Sequence, residues 1–225
     1  MSEARIGLSN LHYAKMTTED TKTSLPVYGT PVAVTDDAIQ ANVSVNYAEA
    51  ELYSGNVQVE QAREFQNATL TLEVPGLTAQ QEADLTGATV DAQTGLVTHS
   101  ADDVAPWVAI MFEGQAQSGT KRRLVKLFKC RFSTPSDENQ TKGSSTEFRT
   151  TTLEGTCVAV KYTDAVTGKG HNWKQTQTID ADDETDWYDS VLPEEEEVHT
   201  PAQGEQTQGE QGTQTQGEQG SGTNP

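Results

Sequence analysis

Alternation of apolar and polar residues with a period of two is the feature of this sequence that most limits its fold. The segment AIQANVSVNY (38–47) places Ile39, Val43 and Tyr47 on one face and polar residues on the other, and ATLTLEV (68–74) repeats the pattern. Such alternation is typical of antiparallel strands with one buried face. PWVAIMFEG (106–114) is apolar on both faces, which predicts a central, fully buried strand.

Other segments also read as strands, and one breaks the pattern. RRLVKLFKCRF (122–132), TTLEGTCVAVKY (151–162) and HNWKQTQTI (171–179) are strand-like, and TVDAQTGLV (89–97) predicts a tight hairpin. A short helix is expected over 78–86, because Thr78 and Gln81 have capping-box spacing and Gly87 follows as a C-terminal cap. The fold class is therefore all-β, a sandwich or barrel of antiparallel strands with one short helix.

Charge divides the chain of 225 residues into two parts. Residues 1–179 hold all 15 Lys and Arg and 21 acids, a net charge of −6, whereas residues 180–225 hold 13 acids and no Lys or Arg, a net charge of −13. The sequence predicts a domain over 1–179 and an acidic, low-complexity tail over 180–225. Residues 180–199 are expected to form a partly ordered edge, and the QGEQ-containing stretch 200–225 to be disordered.

A search for chemistry finds no catalytic motif. His12, His99, His171 and His199 are scattered, so the sequence predicts no enzyme, no cofactor and no metal site. DADDETD (180–186) lacks the glycine and glutamate that an EF-hand loop requires, which favours a solvated acidic linker and leaves weak calcium binding as the alternative. Cys130 and Cys157 are expected to be reduced thiols in the core. The N-terminus lacks a signal peptide, which predicts a soluble protein of the cytoplasm.

The basic run KRRLVKLFKCR (121–131) stands out in an acidic body. Its charges alternate with apolar residues without forming one basic face, which argues against nucleic-acid binding. The interpretation is a solvated strand, or one that pairs with acids on a partner chain.

Four longer segments occur together in an order that resembles a known family. They are IGLSNLHYAKM (6–16), GLTAQQEADLTGATVDAQTGLV (76–97), DDVAPWVAIMFEG (102–114) and FSTPSDENQTKGSSTEFRTTTLEGT (132–156). With them, residues 5–180 resemble the major tail proteins, or tail tube proteins, of siphophages that infect Gram-positive bacteria. The resemblance implies a β-sandwich subunit that forms stacked hexameric rings in the virion tail after synthesis in the host cytoplasm. It implies as partners the protein itself, a tape-measure protein in the lumen, tail terminator and baseplate or tip proteins, and DNA in transit, without a membrane.

Two polar segments are candidates for assembly arms. The stretch 133–152 is polar except for Phe148. The segment AELYSGNVQVEQAREFQ (50–66) is also polar and contains a glycine. Neighbouring subunits would order such arms, whereas the alternative is a floppy surface loop. The self-assembly residues predicted from the basic strand and the first arm are Lys121, Arg122, Arg123, Lys126, Thr141, Lys142, Phe148 and Arg149.

A second function stays open beside the structural one. A monomeric β-sandwich module that binds carbohydrate or peptide on a virion or cell surface would carry exposed aromatic residues in a loop. Trp107 and Trp173 lie instead in strand-like segments, which favours the structural role.

Overall fold

The computed structural model of the protein describes residues 5–36, 38–54, 57–135, 150–164, 168 and 170–192. Within them the elements follow one another as β1 (Arg5–Thr18), β2 (Val27–Tyr28), β3 (Val32–Thr35), β4 (Gln40–Ser54), β5 (Val57–Val74), α1 (Ala79–Thr86), β6 (Thr89–Val90), β7 (Val97–Thr98), β8 (Val108–Ala116), β9 (Lys121–Phe132), β10 (Thr151–Cys157) and β11 (Lys174–Asp180). The all-β prediction with one short helix is confirmed.

Nine of these strands form one antiparallel sheet, in which the hydrogen-bonded order is β2-β1-β8-β9-β10-β5-β4. That order contains seven of the nine strands. The other two lie at the sides, where β3 pairs with β1 and β11 pairs with β9. Strand β9 is long enough to hold two partners on one side, with β11 along residues 121–127 and β10 along residues 130–132. The predicted hairpin forms a separate two-stranded sheet of β6 and β7.

The sheet wraps around one main core. Apolar side chains of β1 and β8 belong to the same buried cluster as those of β5 and β10, although these strands are distant in the sheet order. Strand β8 is buried on both faces, as its sequence predicts, because its second face carries a smaller cluster. That cluster contains Ala14, Ala109, Met111, Phe128, Val160 and Val191.

The helix begins and ends as the sequence predicts. Thr78 accepts a hydrogen bond from the Gln81 backbone, the Gln81 side chain accepts one from the Thr78 N–H, and Gly87 ends the helix with a left-handed φ of 83°. Asp84 fastens the helix to β1, because its carboxylate accepts hydrogen bonds from the Tyr13 hydroxyl (2.8 Å) and from Lys15 Nζ (2.9 Å). Burial and the Asp84 carboxylate together raise the pKa of Tyr13 above its usual value.

The expectation of two reduced thiols is wrong. Cys130 on β9 and Cys157 on β10 are buried in the core, as predicted, but they lie directly opposite each other and form a disulfide. The bond ties together the two strands that flank residues 136–149, which lie outside the described residues.

The chain divides into a compact unit, Met1–Leu192, and a second unit, Pro193–Pro225, which lies outside the described residues. Past the end of β11, Trp187 and Val191 are buried, so the residues up to Leu192 pack on the sheet. The division at 179 and the disorder of 200–225 stay predictions. No helix in the described part of the chain is long and apolar enough to cross a membrane.

Candidate assembly surface

The first three cations of the basic strand β9 contact other residues of the same chain. Lys121 is exposed and its Nζ lies 4.0 Å from Asp180. Arg122 is mostly covered, donates to Glu113 at 3.4 Å and also donates to the backbone oxygen of Asp183. Arg123 donates to the Thr176 hydroxyl at 3.2 Å. The acids and carbonyls that pair with these cations come from the same chain.

The interpretation of β9 as a solvated strand is wrong for its second half. Lys126 and Lys129 are only 4% and 2% exposed. Strand β9 has a bulge opposite residues 108–110, which interrupts the alternation of its side chains. Lys129 then pairs with the buried carboxylate of Asp20, and Arg131 lies 4.1 Å above the ring of Trp107.

Lys126 lies beneath the chain that follows β11. Its Nζ donates to the Ser190 backbone oxygen at 2.8 Å and lies 4.5 Å from the ring centre of Trp187. Burial lowers the pKa of Lys126 to about 8, and the nearby charge of Asp186 opposes that shift only in part. Burying the protonated Lys126 side chain therefore lowers the free energy of unfolding.

We expect Lys126→Met to change how stability depends on pH. The folded-state pKa of Lys126 lies below the unfolded value, so the native chain gains stability as pH rises from about 8 towards 10.5. The wild type should gain about 2 kcal/mol on the variant between pH 7 and 9.5. Urea unfolding at both pH values measures the difference, and Lys121→Met is the exposed control on the same strand. Parallel curves for wild type and Lys126→Met would contradict the prediction.

The other predicted assembly residues are not placed. Thr141, Lys142, Phe148 and Arg149 lie outside the described residues, so their predicted role stays a prediction. Trp173 stacks on Phe65 with ring centres 4.7 Å apart, and the guanidinium of Arg131 packs on the ring of Trp107. Both tryptophan rings therefore have partners in the chain.

Acids after β11 line an open groove of about 640 Å³ with Gln177 and Ile179. Among the described residues, no group of three or more potential ligands could hold a metal ion.

The second predicted arm is a long β-ribbon. Among the described residues, strand β4 pairs only with β5, and β10 pairs with β5 only along residues 68–74. Within that part of the chain, residues 47–54 and 57–65, which we call the ribbon, therefore pair only with each other. At about 3.3 Å per residue, the ribbon extends about 25 Å beyond the supported sheet. An isolated two-stranded hairpin is marginally stable in water, so this length is unusual for a free surface feature.

The two faces of the ribbon differ. One face is held by side-chain contacts: Arg63 donates to Glu49 at 2.7 Å and lies above the Tyr47 ring, and the Tyr53 hydroxyl donates to Glu51. The other face presents Ala50 opposite Ala62 and Leu52 opposite Glu60. Four large apolar residues of the ribbon are more than 45% exposed, namely Tyr47, Leu52, Tyr53 and Val59.

Sequence reasoning found this segment through its polarity and glycine, but it missed the exposed apolar residues as a group. Their signal was present, since tyrosine, leucine and valine are interspersed with glutamate and glutamine in 47–60. What the sequence did not show is that, among the described residues, no third strand pairs with this part of β4 and β5. Among the described residues, nine large apolar side chains are exposed, and four of them lie on the ribbon.

Comparisons with known proteins give a limited result. No protein-family model matches the chain, and no curated protein matches it. Among solved structures, the chain is similar to the tube-terminating cap of the anti-feeding prophage, solved by cryo-electron microscopy. The match has 10% sequence identity and a TM-score of 0.42, and it covers 80% of this chain and 95% of the cap chain.

Proposed function

We propose that this protein is a structural subunit of a phage tail that polymerises as stacked hexameric rings into the tail tube, the conduit for DNA ejection. The ribbon is the observation that carries the proposal. It is about 25 Å of paired but unsupported strand with four exposed apolar side chains. The resemblance of residues 5–180 to siphophage tail tube proteins supports the same conclusion.

The proposal extends to location and partners. The protein would act in the virion tail after synthesis in the host cytoplasm, in contact with copies of itself, a tape-measure protein, a terminator and baseplate or tip proteins. It would have no enzymatic role and no cofactor.

Electron microscopy of the purified full chain tests the proposal most directly. Negative staining should show rings or tubes, with an initiator complex from the tail tip added where the chain alone does not nucleate. A persistent monomer in the presence of the initiator would favour the alternative, a binding module that uses the exposed tyrosines Tyr47 and Tyr53.

We expect the lumen of the tube to be negative. DNA in transit must not adhere, and each phosphate that a cation neutralises strengthens attachment. The body has a net charge of −6, and the cations Arg122 and Lys126 are occupied by contacts within the chain. A structure of the tube tests this, and an unpaired lumenal belt of Lys121, Arg122 and Arg123 would contradict it.

We expect a stop after Val198 to leave tube formation intact. Residues 200–225 contain Ala202 as their only alanine, aliphatic or aromatic residue, so they offer an interface almost nothing to bury. Ordering them would cost roughly 1–2 kcal/mol per residue in backbone entropy. The truncated gene replaces the full one during phage growth and the tails are imaged. Short, absent or irregular tubes would show that the tail acts in assembly.

A further inference from the structure

The residues after β11 form a strap across the second face of the sheet. We define the strap as residues 181–192 and its floor as the surface beneath it, formed by Ala14, Ala109, Met111, Lys126 and Phe128. Val191 is buried in this cluster, Trp187 lies against Lys126, and the Tyr188 ring lies 4.7 Å from that of His12. The strap therefore packs on the sheet of its own chain.

The chemistry of the strap and the floor is complementary. The floor and its rim supply apolar side chains and the cations Lys126 and Arg122, and the strap supplies two aromatic rings, Val191 and five acids between residues 182 and 189. Arg122 and Lys126 both bind strap backbone oxygens, and the Tyr188 hydroxyl donates to Glu113 at 3.4 Å. The floor therefore fits a segment that supplies aromatic rings and backbone oxygens, as the strap does.

Two buried hydrogen-bond donors at the closed strap have no acceptor in the described structure. The indole N–H of Trp187 and Nε of Arg122 are buried without a hydrogen-bond partner in the described structure. A buried donor without a partner costs about 1–3 kcal/mol. Lys126 adds a buried charge with one hydrogen bond. These costs lower the stability that the strap gains on a floor, whether that floor is its own or a neighbour's.

The connection between β11 and the anchored end of the strap is exposed, and Arg122 binds it at the backbone oxygen of Asp183. Ala181 donates to the Thr120 backbone oxygen at 2.9 Å, and residues 182–184 are exposed. Five residues, 182–186, separate that bond from Trp187. Extended, they span up to about 17 Å. The floor of a neighbouring copy within that distance is therefore reachable.

We propose that the strap closes on its own floor in the free subunit and docks on the floor of a second copy after assembly. This inference rests on the proposed self-assembly. Exchange of an identical element keeps every strap contact and adds a connection between subunits, which is why such exchange costs little. The closed strap then acts as an internal competitor, because the floor accepts a neighbour's strap only after its own has left.

Isotope-coded cross-linking tests the exchange in the full chain. Tyr188→p-benzoylphenylalanine places a photo-cross-linker beside His12. Trp107→p-benzoylphenylalanine, beside Arg131, is the control outside the strap, the floor and the ribbon. Heavy and light chains are mixed in equal amounts before assembly. In free subunits both positions should give same-label cross-links. In tubes, about half of the cross-links from position 188 should join heavy to light chains, since exchange partners are drawn at random, whereas position 107 should stay same-label.

Same-label cross-links from position 188 in tubes would overturn the exchange and leave the proposed function intact. A wild-type chain that stays monomeric with the initiator would overturn both. Should the Tyr188 variant fail to assemble, carbodiimide coupling of Lys126 to strap carboxylates in mixed-label tubes of the unsubstituted chain gives the same decision. Lys121 coupled to Asp180 is then the same-label control, because their strands pair within one chain.

Discussion

Leu52→Glu combined with Val59→Glu should abolish tube growth at concentrations where the wild type assembles. Both side chains lie on the ribbon and are 58% and 61% exposed in the single chain. Burying a large aliphatic side chain contributes about 1.5–3 kcal/mol, so losing two at each contact should raise the critical concentration roughly 100-fold or more. Pelleting and negative staining across a concentration series measure this change.

A matched pair of substitutions separates the ribbon from apolar exposure in general. Leu96 and Val104 are 62% and 70% exposed and lie outside the ribbon. Leu96→Glu with Val104→Glu should leave the critical concentration unchanged. The control pair should unfold within about 0.5 kcal/mol of the wild type, because surface substitutions away from packing contacts have small effects. The ribbon pair should lose up to about 1 kcal/mol more, since residue 52 lies directly opposite Glu60 and like charges there repel. Equal loss of assembly in the two pairs would show that the ribbon has no special role.

The features that local sequence specifies were predictable. The capping box of Thr78 and Gln81 and the left-handed Gly87 follow from spacing alone, because their partners lie within a few residues. Burial of β8 on both faces followed from a run without polar alternation. The polar segment 50–66 was predicted to be ordered by neighbouring subunits, but its two strands pair with each other in the single chain.

Features that depend on register between distant strands were not predictable. The disulfide requires Cys130 and Cys157 to be directly opposite on β9 and β10, and nothing in their spacing of 27 residues specifies that register. The burial of Lys129 depends on a partner, Asp20, that lies 109 residues away in the sequence. Residues 180–199 were predicted as a partly ordered edge, but the burial of Trp187 and Val191 was not predicted, because two apolar residues are too few to reveal a buried segment without the floor that receives them.

The buried pair of Asp20 and Lys129 joins three parts of the chain. Asp20 follows β1, Lys129 lies on β9, and the Lys161 backbone N–H donates to the second oxygen of Asp20. Burial raises the pKa of Asp20, but the hydrogen bonds from Lys129 and Lys161 outweigh it, so the pKa lies below its usual value. The stability that this pair contributes is therefore present above about pH 4 and is lost as pH falls through the folded-state pKa.

We expect Asp20→Ala to be strongly destabilising. It leaves the Lys129 ammonium buried without its carboxylate, a change that typically costs 3–5 kcal/mol, or roughly 10 °C in melting temperature for a domain of this size. Adding Lys129→Met should recover part of the loss, because the double variant buries no unpaired charge. The Lys161 N–H still lacks its acceptor, which leaves a cost of about 1–3 kcal/mol. Urea unfolding at pH 7 measures the free energies, and below pH 4 the double variant should lose less stability than the wild type. A double variant no more stable than Asp20→Ala would show that the loss comes from packing around residue 20 and not from the stranded charge.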